Sequence, residues 1–62
     1  MTGAEIRGLR KALGYTQARL AEEVGVRANT LARYERGELR PSPPVVKLLR
    51  LLEMTLTEKK AA

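Results

Sequence analysis

Eight of the twelve cationic side chains in this sequence are arginine. A planar guanidinium pairs with phosphate oxygens and with the edge of guanine better than a point-charge ammonium does. Three of these arginines, Arg27, Arg33 and Arg36, stand in one short stretch with Asn29. Projected on a helix, Asn29, Ala32, Arg33 and Arg36 cluster on one side with Ala28 on the flank, while Leu31 and Tyr34 mark the other. The outer face is polar without being acidic, which suits a polyanionic partner. The whole chain agrees, since seven acids, all Glu, leave a net charge of +5 and a pI near 10.3.

Other chemistries are poorly supplied. His, Cys, Asp, Trp and Phe are absent, so the usual catalytic triads, zinc sites and aspartate metal centres cannot be assembled. No enzyme, cofactor or metal is expected. No apolar run exceeds two residues, which leaves no membrane span or signal core, and Glu5 further disfavours a targeting peptide. Nucleic acid is therefore favoured over membrane, and the absence of Cys suits a reducing cytoplasm.

The elements that position the basic face are short. A chain of 62 residues makes one small domain with a thin core, burying only about 60% of its unfolded surface. Thr2 and Glu5 form a capping-box pattern, and Ile6, Leu9 and Leu13 recur at helical spacing until Gly14. Thr16 is an N-cap for a second helix, Gln17 to Val24, with Tyr15 and Leu20 spaced as a hydrophobic staple and Gly25 at its end. A third helix is read from Arg27 or Ala28 to Arg36, closed by Gly37. Ser42, Pro43 and Pro44 then open a fourth, expected to reach Glu53 or Met54. Residues 55–62 are expected to be a fraying tail, with the domain at 1–54.

Two short helices joined by a Gly-containing turn, the second with a basic, amide-bearing outer face, form a helix-turn-helix arrangement over residues 17–36. Ala21 lets the helices approach, and Leu20, Val24, Val26, Leu31 and Tyr34 fill the apolar positions. With Thr16-Gln17, Val24-Gly25-Val26 and Tyr34-Glu35-Arg36-Gly37 all present at this spacing, the chain resembles the lambda-repressor-like family, the Cro/cI-type or Xre-type helix-turn-helix regulators, over about residues 3–54. The resemblance implies an all-α fold of four helices, or four and a short fifth. It also implies a third helix that enters the major groove of double-stranded DNA, usually in a dimer on a two-fold-related operator.

Carried onto this sequence, it implies base reading by Ala28, Asn29 and Arg33. Asn29 matches adenine N6 and N7, Arg33 matches guanine O6 and N7, and Ala28 offers a methyl surface to thymine. It implies backbone contacts from Thr16, Gln17, Arg27, Arg36 and Arg40, with Gln17 also bracing the reading helix. An ion pair between Arg10 and Glu35 is expected, because Glu35 sits at the edge of the buried face, where an unpaired carboxylate is costly, and because the resemblance places a helix-one arginine opposite it. Arg27 departs from the Ser or Thr that commonly caps this helix and forgoes about 1 kcal/mol of capping.

On the fourth helix, Val45, Leu48, Leu49, Leu52 and Leu56 are expected to complete the core, with Val46, Leu51 and Met54 outside it. Leu48, Leu51, Met54 and Thr55 are expected to form a homodimer interface. A transcriptional repressor is the leading functional expectation. The alternative is an antitoxin or adaptor module whose main partner is another protein. An RNA-binding protein is disfavoured, since both aromatics are explained by packing.

Overall fold

The computed structural model describes residues 1–61, with side-chain surroundings through residue 57. Among these residues there are four helices and no strand: α1 (Gly3–Leu13), α2 (Gln17–Val24), α3 (Ala28–Glu35) and α4 (Pro43–Ala61).

The short helices are held at their ends by side chains. At α1, Thr2 Oγ1 accepts from the Glu5 N–H at 3.1 Å and Glu5 Oε1 accepts from the Thr2 N–H at 2.9 Å, so two otherwise orphaned donors are satisfied. At α2, Thr16 Oγ1 accepts from the Arg19 N–H at 3.1 Å. The chain then reverses at Gly25, whose φ of 75° is left-handed and strains any residue with a Cβ. The Val26 N–H closes that turn on the Ala21 carbonyl at 2.9 Å. Helix α3 starts at Arg27 with no side-chain cap.

The core is one cluster drawn from all four helices: Ile6 and Leu9, then Leu20, Ala21 and Val24, then Leu31 and Tyr34, then Val45 and Leu49. Ile6, Leu20, Leu31 and Leu49 are fully enclosed, each contributing about 1.5–3 kcal/mol by leaving water. Helices α2 and α3 share the most extensive contact, and α1 braces α3 from behind.

Helix α4 departs from expectation in two ways. It runs to Ala61 and does not stop near Glu53 or Met54. No Gly or Pro interrupts the sequence beyond Pro44, its Ala, Lys, Glu and Leu are good helix formers, and Leu52 and Leu56 pack against the core. Residues 55–61 are therefore helical; the final residue of the expected tail, Ala62, lies outside the described residues. Leu48 is not a core residue, being 40% exposed. The buried stripe is Val45, Leu49, Leu52 and Leu56, and Leu48 sits about 100° around the helix from Leu49. Val46 lies outside the core cluster, as its pattern indicates, and is half-buried where it lines a groove with Tyr34 and Pro41.

Candidate nucleic-acid interface

Helix α3 turns Leu31, Tyr34 and Glu35 inward, and Ala28, Asn29, Arg33 and Arg36 are exposed. Ala32, between the two sides, is half-buried. The outward edge thus gathers an amide, two guanidinium groups and a methyl on one short helix and its C-cap Arg36, with Arg27 exposed at its start and Arg40 exposed in the loop beyond its end.

What fixes this helix is a buried carboxylate. The Glu35 side chain is 1% exposed, and three side chains from two other helices reach it. Arg10 on α1 donates from Nε to Oε2 at 2.7 Å and from Nη2 to Oε1 at 3.3 Å. Gln17, the first residue of α2, donates from Nε2 to Oε1 at 3.2 Å. Arg7 approaches Oε1 at 3.6 Å. Burial pushes the carboxyl's pKa up, but the hydrogen bonds from Arg10 and Gln17 and the charges of Arg10 and Arg7 outweigh it and hold the pKa below its ordinary value. Arg10 also donates from Nη1 to the Tyr15 carbonyl at 3.1 Å, tying down the approach to α2. One ionised group therefore sets the mutual orientation of α1, α2 and α3.

Gln17 is engaged inward by this bond, and the hydroxyl of Thr16 is engaged by the cap. Two exposed arginines are also occupied. Arg19 pairs with Glu23 through Nη2 at 3.0 Å and lies over the Tyr15 ring, 4.9 Å from its centre. Arg36 binds Glu38 through Nε to Oε2 at 2.5 Å and Nη2 to Oε1 at 3.4 Å. Arg33 comes no closer than 3.9 Å to the same carboxylate. The Arg36 hydrogen bond holds the Glu38 carboxyl below the usual carboxylate range. Arg27 and Arg40 have no ion-pair partner among the described residues.

Three charged residues here, Arg7, Arg19 and Glu38, have no place among the site residues expected from the sequence. Arg19 and Glu23 stand four residues apart on one helix, a spacing that signals their pair. Nothing in the local pattern marks the other two.

On the rest of α4, Leu48, Leu51 and Met54 are 40%, 49% and 58% exposed. Thr55 is exposed and donates its hydroxyl to the Leu51 carbonyl at 3.1 Å. Among the described residues no helix is long and apolar enough to cross a membrane, and no three carboxylates gather where a metal ion could be held.

A braced helix pair with a basic, amide-bearing outer edge defines a helix-turn-helix domain of the lambda-repressor-like, Xre type. The sequence comparison agrees: a helix-turn-helix family model matches residues 6–59, and the chain belongs to that family, one of DNA-binding regulatory domains. Among curated proteins, the antitoxin MqsA of Escherichia coli (strain K12) is 42% identical over 45 residues, covering 73% of this chain and 34% of the antitoxin. The chain therefore spans about a third of that relative's length. No solved structure matches the chain significantly.

Proposed function

We propose that this chain is a sequence-specific, double-stranded-DNA-binding transcriptional repressor, which works in the cytoplasm as a homodimer on a two-fold-related operator. One observation carries the reading. Asn29 and Arg33 are both exposed on a helix whose orientation is locked by the buried Glu35. A rigid mount of this kind lets two side chains meet base edges in register. Ala28 adds an apolar contact for thymine methyls. Arg27 and Arg40, with the N-terminal end of α2 at Thr16 and Gln17, supply phosphate contacts that set the register, and Arg36, held by Glu38, is drawn to phosphates chiefly in sequence-indifferent binding.

Selection of bound sequences from a random duplex library tests the reading. The expected result is a two-fold-related consensus whose half-sites lie about one helical turn apart. Recovery of sequences no different from the starting pool refutes it.

The similarity to an antitoxin favours a second reading, a module that joins operator binding to the capture of another protein. Exposed apolar residues Leu39, Leu48, Leu51 and Met54 give such a partner something to cover. If protein contact is the main task, retention on DNA is weak and indifferent to sequence.

A further inference from the structure

The chain leaves α3 through Gly37, and the Glu38 N–H returns to the Arg33 carbonyl at 3.0 Å. This bond hangs the Glu38 side chain over the end of the reading helix, between its two exposed arginines. The three side chains are about equally open to water, at 47%, 50% and 50% for Arg33, Arg36 and Glu38. Their attachment is unequal. Arg36 is held by two hydrogen bonds, whereas Arg33 stands 3.9 Å away with none.

The geometry points to Glu38 as a specificity-determining residue, a carboxylate that competes with DNA phosphates for Arg36 and so weakens sequence-indifferent binding more than operator binding. The inference rests on the reading in which α3 meets the major groove with Arg33 toward the bases.

Sequence-indifferent binding comes almost wholly from neutralising phosphates, so it draws on every arginine within reach. Sending Arg36 to a phosphate breaks two hydrogen bonds and leaves a bare carboxylate beside a like charge. That repulsion grows as docking excludes water and salt. Operator binding escapes most of this cost. Arg33 leaves for a base edge and gives up only a 3.9 Å approach, while Arg36 stays on Glu38 and cancels its charge. Because the Arg36 hydrogen bond keeps the Glu38 carboxyl ionised well below neutral pH, the competitor is present under all ordinary conditions.

The test measures binding of wild type and Glu38→Gln to a random-sequence duplex and to the library-selected operator, between about 50 and 200 mM salt. Glu38→Gln is expected to bind the random duplex about tenfold more tightly. Its salt slope there should steepen by about 0.9, the value of one added phosphate contact. Operator affinity should rise by less, so the ratio of operator to random binding falls. Adding Arg36→Ala to Glu38→Gln should cancel the gain. An exposed, near-isosteric change should leave the helical spectrum intact, and a loss of cooperative folding is not expected. If wild type binds the operator and Glu38→Gln leaves random-duplex affinity and slope unchanged, or raises both affinities equally, the proposal is overturned alone. If wild type prefers no duplex over any other, the DNA-reading assignment falls with it.

Discussion

The first residue of α1 lies against the last turn of α3: a Cβ added to Gly3 would stand 2.5 Å from the Glu35 carbonyl oxygen and 2.6 Å from that of Tyr34. The electropositive end of one helix thus abuts the electronegative end of the other, a favourable alignment of helix dipoles that only glycine leaves room for. Both close atoms are backbone, so nothing flexible can yield. Gly3→Ala is expected to destabilise by about 1–3 kcal/mol, the usual cost of overpacking, despite the better helix propensity of alanine. Gly8, also in α1, is the control, since a Cβ there meets nothing within 4 Å. Gly8→Ala should stabilise by about 0.5–1 kcal/mol. Chemical denaturation of the two variants checks the pair, and equal signs would refute the contact.

Removing the Glu35 carboxylate should be costlier. Glu35→Ala leaves the Arg10 side chain, itself only 17% exposed, without its carboxylate partner, and a loss of about 3 kcal/mol is expected. In so small a domain that is a large share of total stability. An unchanged denaturation midpoint would show that the carboxylate contributes nothing.

The same group sets an acid dependence. The folded pKa of Glu35 lies below its ordinary value of 4.5, so its stabilising contribution is complete above that value and is lost as pH falls through the folded pKa. Glu5 and Glu38 are lowered in the same direction, by the Thr2 backbone and the Arg36 hydrogen bond respectively, but both are exposed to solvent and weigh little. Thermal midpoints of wild type should therefore drop on acidification below about pH 4.5, and those of Glu35→Gln should drop less. Parallel curves for the two proteins would assign the acid limb to other groups.

The outward residues of α3 and those of the following loop should fail differently. Arg33→Ala is expected to relax discrimination at one base pair by about 1–3 kcal/mol. Arg40, exposed and without an ion-pair partner among the described residues, should behave as a phosphate contact. Arg40→Ala should weaken all sequences alike and flatten the salt slope by about one. Competition binding over single-base variants of the selected operator separates the two, and equal losses on every sequence for both would abolish the distinction.

Much of this architecture is legible in the sequence because its determinants are local. Thr2 with Glu5, Thr16 before Gln17, and Gly25 after Val24 each act within a turn or two of where they stand, and the caps form there. What stays hidden depends on distance in the chain or on helix phase. Gln17 can reach a phosphate as an isolated first-turn residue, yet the fold turns its amide onto Glu35, eighteen residues away. Arg7 joins the same carboxylate only because α1 crosses behind α3. Gly3 looks like an ordinary helix-start residue until α3 ends against it. Leu48 and Leu49 are adjacent leucines, and only the packed bundle decides which one faces in.

That last choice leaves an apolar strip on α4, which carries the final prediction. Leu48, Leu51 and Thr55 follow one another at helical spacings of three and four, and all three are exposed, with Met54 beside them at 58%. A single exposed leucine is ordinary on a soluble domain. Here three large apolar side chains share one face, against a core with only four fully enclosed large side chains. Covering each leucine between two copies would contribute about 1.5–3 kcal/mol that the isolated domain lacks. The flanking Arg50 and Glu53 are paired with each other at 3.3 Å, so they can edge an interface without leaving a bare charge. Leu51, at the centre of the strip, is the residue to change. Leu51→Glu would place two carboxylates opposite each other across a two-fold axis. It should yield a monomer with weakened operator binding and an intact helical spectrum, since Leu51 is half exposed in the single chain. Sedimentation at micromolar concentration, with and without operator, checks it. Wild type that stays monomeric with operator present, or a Leu51→Glu variant that still dimerises, would place the interface elsewhere.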